Sequence, residues 1–302
     1  MSLLVIGSVA FDALETPFGK TDKIVGGAAS YISLSSSYFV KPVNLVAVVG
    51  DDFLQSDIRM FQAHGVDTAG LQVRENEKSF FWSGRYFNDM NSRETLVTEL
   101  NVLADFDPII PEVYQNCEYL MLGNLSPQVQ RTVIERLQHR PKLIVMDTMN
   151  FWMDIALEEL LQTIALVDVL SINDEEARQL SQEYSLVKAA KKIMAMGPKY
   201  LIIKKGEHGA LLFGPDEIFF APALPLEEVF DPTGAGDTFA GGFIGYLAQA
   251  GDVSFDNMKK AVIHGSAMAS FCVEKFGTER LVNLTGAEIR DRVRKFADLV
   301  RF

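Results

Sequence analysis

The feature that most constrains this chain is a recurring short run dominated by apolar residues, continuous in LLVIGSV and repeated in VNLVAVVG, EYLMLG, KLIVMDT, VDVLSIN and YLIIKKG. A strand wetted on one face alternates apolar with polar residues. Unbroken runs belong to strands covered on both faces, as parallel strands are. Between these runs lie helix-like stretches such as ASYISLSSSYF, PQVQRTVIERLQ and LVKAAKKIMAM. The alternation predicts a three-layer α/β/α domain with a mostly parallel central sheet. The runs end on small or polar residues, Gly50, Gly123, Asp147, Asn173 and Gly206, and the carboxyl ends of strands in such a sheet line the ligand crevice. A chain of 302 residues, 48% of them apolar, is long enough to be one such domain. No internal repeat or low-complexity linker divides it, so residues 1–302 are read as a single domain.

One region departs from the pattern. KSFFWSGRYFNDMNSRETLVTEL, Lys78 to Leu100, has two β-rich pieces around a polar NDMN turn, which predicts a hairpin. Together with the irregular piece over about 10–24 it is expected to form a small β-sheet lid over the carboxyl edge of the main sheet. An ordinary surface hairpin is the alternative.

Charge and composition exclude several classes. A net charge of -12 is the wrong sign for a nucleic-acid surface, which needs clustered Lys and Arg. Cys117 and Cys272 stand alone and far apart, so neither a disulfide framework nor a zinc motif is expected. The opening MSLLVIGSVAFDAL lacks the basic segment of a signal peptide and is too short to span a membrane. These points favour a cytoplasmic protein with small-molecule partners. No GxxxxGK[ST] occurs, and GAGDTF lacks the third glycine of GxGxxG, so neither common nucleotide motif is present.

The chemistry concentrates in VFDPTGAGDTFAGGFIGYL, Val229 to Leu247, where two carboxylates bracket a Gly-Ala-Gly turn that opens a helix. Glycines let the backbone turn sharply and approach a ligand. The free N–H groups of the following helix then form an anion hole, aided by the helix dipole. A carboxylate beside that hole suits a general base that takes a proton from a hydroxyl attacking a phosphoryl group. Asp-Pro, Gly-Ala-Gly and an Asp at a helix start also occur in ordinary turns and caps.

DPTGAGDTFAGGF resembles the C-terminal signature of the ribokinase-like, or PfkB-type, carbohydrate kinases, and four further segments agree in order: GSVAFD, VGGAAS, VVGDDF and NDEEA, followed by KKGEHGALLF. The resemblance covers nearly the whole chain. It implies an ATP- and Mg2+-dependent kinase acting on a primary hydroxyl of a sugar or sugar derivative. It makes Asp237 the base and Gly234, Ala235 and Gly236 the anion hole. Asp12, Gly26 and Gly27 would hold the acceptor. Asn173, Lys204, Gly206 and Gly209 would lie along the nucleotide, and Glu176 would organise Mg2+, through water. Asp231 and Thr233 fall where some relatives bind a monovalent cation such as K+.

Departures from the family pattern leave several roles open. Tyr31 stands where many sugar-specific members carry Asn, and it either packs on a nucleoside base or belongs to the core. Arg85, Asn88, Asp89, Asn91 and Arg93 of the lid either reach substrate or are solvated. Lys204 replaces a small hydroxyl residue, and Lys205 is the alternative to it. His264, in a helix that passes near adenine in relatives, either lines the site or is packed. Gly277 sits in a loop assigned to the nucleotide side, and Asp147 and Asn150 end a strand facing the crevice. A nucleoside kinase and a catalytically degenerate metabolite sensor are the alternatives to a sugar kinase. An exposed lid edge would suit a homodimer.

Overall fold

The computed structural model describes residues 2–301. The chain begins with strands β1 (Leu3–Ile6), β2 (Ala10–Thr16), β3 (Gly19–Lys20) and β4 (Ile24–Gly26), then helix α1 (Ala28–Ser36). Next come β5 (Val43–Gly50), α2 (Gln55–Ala63), β6 (Val66–Arg74), and a hairpin of β7 (Phe80–Tyr86) and β8 (Arg93–Glu99). The middle of the chain holds β9 (Tyr119–Leu122), α3 (Pro127–Arg136), β10 (Leu143–Asp147), α4 (Asn150–Ile155), α5 (Leu157–Ile164) and β11 (Val169–Asn173). It continues through α6 (Asp174–Ser181), α7 (Leu186–Met194), β12 (Tyr200–Lys204), β13 (Ala210–Phe213) and β14 (Ile218–Ala221). Helices α8 (Ala235–Ala250), α9 (Phe255–Cys272), α10 (Glu279–Val282) and α11 (Gly286–Leu299) complete it.

Nine strands form the main sheet in the order β14-β13-β12-β11-β10-β9-β1-β5-β6. The strands from β12 to β6 are parallel, and β13 and β14 close one edge antiparallel. The unbroken apolar runs are explained by burial on both faces. Leu3 and Val5 join a core with Ile32 of α1, Phe243 of α8 and Val262 of α9, while Leu4 and Ile6 join one with Val133 of α3, Leu160 of α5 and Ile193 of α7. Two edge strands lacked that signal: β6 is partly exposed, and β14 leaves Ile218 and Phe220 open to solvent. The strand order reverses between β1 and β9, and that switch point is where a ligand crevice opens.

A second sheet runs β3-β2-β7-β8, with β4 also paired to β2. It contains both segments expected to leave the main layer. Its root is fixed at the end of β5, where the Ser79 hydroxyl accepts from the Gly50 amide at 3.0 Å and donates to Asp52 Oδ1 at 2.7 Å. Lys23 Nζ donates to the other Asp52 oxygen at 2.6 Å.

Helix α8 lies between α1 and α9. Ser35 Oγ of α1 donates to the Thr238 carbonyl at 2.7 Å, and a Cβ at Gly241 would meet the Ile32 carbonyl oxygen at 2.4 Å. The glycines after Asp237 therefore let two helix backbones touch, which fixes where the first turn of α8 points. Among the described residues, no helix is long and apolar enough to cross a membrane.

Candidate active site

The cleft is assembled from both ends of the chain. Asp12 sits on β2, 4% exposed. Gly26 must be glycine for Asp12 to stay there, since a Cβ on it would lie 1.9 Å from Asp12 Oδ2. Gly27, at φ 88, caps α1, and its amide pulls the proton affinity of Asp12 down slightly. Burial, with the charges of Asp231 and Asp237 added, pushes Asp12 up to about 7.

The second wall is the start of α8. Gly234 caps it at φ 72 with no side-chain cap, but the Ala235 amide donates to the Pro232 carbonyl at 3.2 Å, which corrects its reading as an anion-hole donor. Among the described residues nothing accepts from the Gly236 amide. Asp237 lies in this first turn, half-buried and reached from the cleft. Burial and then Asp147 push it up to about 7, against the pull of Lys204 and Arg93. A Cβ at Gly234 would fall 2.5 Å from the Tyr31 ring, and Tyr31 is 1% exposed. Tyr31 is thus the floor beneath the glycine turn. It cannot stack on an acceptor, which corrects its reading as a substrate contact.

A charged group lines the strand ends beyond Asp237. Lys204 Nζ donates to Asp147 Oδ2 at 2.6 Å, with both side chains largely buried. The same Nζ would lie 3.2 Å from a Cβ on Gly236, so Lys204 points into the cleft. Burial works to lower its proton affinity, but Asp147 and Glu176 outweigh that and hold the ammonium above its ordinary value. Asn173 lies beside Lys204 in the sheet. Asn173 and Glu176 bind each other in a capping box at 2.7 and 2.8 Å. Burial, with Asp147, pushes Glu176 up to about 7 against Lys204. Asn150 starts α4 and spends its side-chain oxygen on the Phe151 amide.

The second sheet reaches across this cleft. Thr233 Oγ1 bonds Tyr86 Oη at 3.1 Å, and Asn91 Oδ1 lies 3.3 Å from where a Gly206 Cβ would be. Arg93 is paired with Tyr86 in register, and its charge works to lower the proton affinity of the Tyr86 hydroxyl against burial, which raises it. Arg85 does not take part: its guanidinium is held by Glu15 at 3.0 and 3.3 Å on the outer face. Pleating explains this correction, because Tyr86 faces inward and its neighbour must face outward. Asn88 is exposed at the tip of the hairpin and makes no hydrogen bond among the described residues. Gly209, at φ 81, closes a tight turn in which a Cβ would strike the Ala221 carbonyl at 2.1 Å.

Asp231, 1% exposed, accepts from the Thr233 and Gly277 amides, each at 2.9 Å. Gly277 is therefore placed against the Asp231 loop. His264 does not join the cleft. It stacks on Tyr246 at 4.1 Å, and Tyr246 lies about 14 Å further along α8 than Asp237. Packing, not ligand contact, accounts for it. Tyr86 carried no signal in the sequence, Asp147 was marked only by its strand-end position, and Arg93 only as one of the lid residues that either reach substrate or are solvated.

Three carboxyl groups held near 7 should show in stability. Their folded-state affinity for protons exceeds the unfolded one, so they favour the fold at low pH. That advantage is lost as pH rises from about 4 through about 7. The melting temperature of the ligand-free protein should fall between about pH 4.5 and 7 and level off above that, and Asp12→Asn should flatten the slope. A wild-type curve flat across that window would contradict the burial of these groups.

The fold and cleft define a class: an α/β enzyme with one carboxylate beside the glycine pair that opens α1 and another in the first turn of a helix opened by a glycine turn. The model described as pfkB family carbohydrate kinase matches residues 2–283, and the chain belongs to that family. It is a kinase of the nucleoside and carbohydrate type, a phosphotransferase with an alcohol acceptor. The cytidine kinase of Thermococcus kodakarensis is 31% identical over 250 residues, 81% of this chain and 87% of that protein. The solved nucleoside kinase of Methanocaldococcus jannaschii is 21% identical, with a TM-score of 0.78 over 98% of this chain and 99% of that one. A ribokinase II of E. coli, solved with ATP and Mg2+, is 19% identical, with a TM-score of 0.79 over 97% and 99%. These two share the fold.

Proposed function

We propose that the enzyme transfers the γ-phosphate of ATP to a primary hydroxyl of a nucleoside, with Asp237 as general base. The observation that carries this reading is geometric: Asp12 packs against Gly26 just ahead of α1, Asp237 lies in the first turn of α8, and the backbones of those two helices touch. One carboxylate grips hydroxyls while the other takes a proton. A nucleoside is favoured over a free sugar by the similarity to a cytidine kinase, since the argument from Tyr31 no longer holds. A sensor without activity would have no need of a base placed against a free anion hole.

In this reading Asp12 and the Gly26 and Gly27 amides hold the acceptor hydroxyls, which fixes the attacking oxygen near Asp237. Asp237 removes its proton as the new bond forms. The Gly234 and Gly236 amides of the turn hold the charge developing on the phosphoryl oxygens, since the Ala235 amide is taken by Pro232. ATP supplies the phosphoryl group, and Mg2+ on its phosphates neutralises their charge. The donor set fits such a loosely held ion: among the described residues no cluster of three acids, histidines or cysteines could cage a metal, and Mg2+ commonly keeps waters and substrate phosphates as ligands. Glu176, held by Asn173, would carry one of those waters. Lys204, Asn173, Gly206 and Gly209 would line the phosphate side. Gly277 acts through Asp231. A monovalent cation such as K+ would fit at Asp231 and Thr233, because the buried Asp231 carboxylate has no ion-pair partner among the described residues. The second sheet would be the lid of a single domain, excluding water from the phosphoryl group. The open edge of β8 would suit a second copy of the chain.

The test is ADP release with Mg-ATP against a panel of nucleosides and free sugars. A nucleoside should give the highest kcat/KM, by at least about tenfold, equivalent to roughly 1.4 kcal/mol of preference. A free sugar leading the panel would overturn the acceptor assignment.

A further inference from the structure

Asp147 has no part in the reaction as described so far, yet it is among the most firmly placed side chains of the cleft. It ends β10, 6% exposed. Its backbone carbonyl is held by Gln130 Nε2 at 2.9 Å, and the same amide group also holds the Gly123 carbonyl at 2.9 Å. Gln130 is fully buried, so it staples together the carboxyl ends of β9 and β10. The Asp147 carboxylate then reaches past β11 to Lys204 on β12. That bond draws the ammonium against Gly236 in the first turn of α8. Without Asp147, a flexible four-carbon stem would leave this cation free among many rotamers.

We propose that Asp147 is a positioning residue that aims the Lys204 ammonium at the transferring phosphoryl group, opposite Asp237. This rests on the phosphotransfer reading above. A buried ion pair by itself contributes little net stability, because desolvation offsets the attraction. A cation fixed beside an anion hole, in contrast, meets charge as it develops and needs no reorganisation then. The charged groups that face Asp237 are Asp147 from β10, Lys204 from β12, Arg93 from β8 and Asp12 from β2. Tyr31 from α1 and Cys272 from α9 face it as neutral groups. Asp147 and Lys204 therefore act on the base in opposite senses, and their removal should be distinguishable.

The experiment compares wild type, Asp147→Asn and Lys204→Met with Mg-ATP and the leading acceptor, across pH. Lys204→Met should lose about 10²-fold in kcat, and Asp147→Asn about tenfold, each with KM for the acceptor nearly unchanged. The acid limb of kcat/KM should move up by about one pH unit in Lys204→Met and down by a similar amount in Asp147→Asn. Wild-type kcat and an unmoved limb in Asp147→Asn would overturn the inference, and that variant decides alone if Lys204→Met does not fold. A loss of melting temperature with no movement of the limb would likewise reduce the pair to a brace between strands. Asp237→Asn serves as the separating control. If it stays active the base assignment itself fails, whereas if it is inactive while the limb stays put only the role of Asp147 fails.

Discussion

Asp237→Asn should lower kcat by about 10²–10⁴-fold and leave ATP affinity within a few-fold. The amide fills the same space and leaves the glycine turn and its N–H groups intact, but it cannot accept the proton. Binding energy from the anion hole survives, so the loss should fall on kcat. ADP release measures the first quantity and calorimetric titration with Mg-ATP the second. The wild-type pH profile supplies an internal check. With Asp237 pushed up to about 7, kcat/KM should rise as pH climbs through that region and level off above it, because the base must be ionised. Asp12 shares the cleft and is likewise pushed up to about 7, so the limb belongs to the two carboxylates together. The residual activity of the variant should lack the steep part of that limb. A variant with wild-type kcat would remove Asp237 from the chemistry altogether.

Gly26→Ala should cost about 10²–10³-fold in kcat/KM for the acceptor, an effect well beyond that of one methyl group on a surface turn. The new Cβ would lie 1.9 Å from Asp12 Oδ2, so the carboxylate must swing away from the hydroxyls it holds. A displacement near 1 Å in a positioning group is enough for a loss of about 10²-fold. If Asp12 is the cause, Asp12→Ala alone should show a similar loss, and adding Gly26→Ala to it should cost little more. Such non-additivity is the mark of two changes acting through one contact. Multiplying losses would instead mean that Gly26 touches the acceptor independently of Asp12.

The layers of this fold were legible because burial on both faces of a strand leaves a mark that needs no partner to read. Leu3 to Ile6 is apolar throughout for that reason, and Val43 to Gly50 is apolar but for Asn44. The glycine turn before Asp237 was legible too, since its backbone demands are local. Side-chain direction was not. Whether residue 85 or 86 faces the cleft depends on strand pleating, and the pairing of β7 with β8 shifts register between Ser83 and Gly84. Tyr31 turns into the core because α8, some two hundred residues later, lays Gly234 across its ring. The Asp147–Lys204 bond spans an intervening strand, and no spacing in the sequence announces it. Edge strands β6 and β14 escaped because solvent on one side removes the unbroken apolar run.

The seam between α1 and α8 has a consequence for how the enzyme comes into being. Asp12 and Gly27 are made early in synthesis and Asp237 late, and the two halves of the cleft meet only when α8 settles onto α1 through the Ser35 bond and the Gly241 contact. Contacts so distant along the chain form late, after the cost of closing a long loop has been met. The site is therefore complete only once that docking has taken place, and catalysis reports on it. On gentle heating, loosening of the C-terminal helices would extinguish activity while the main sheet still stood, making enzymatic inactivation an earlier signal of unfolding than loss of strand structure.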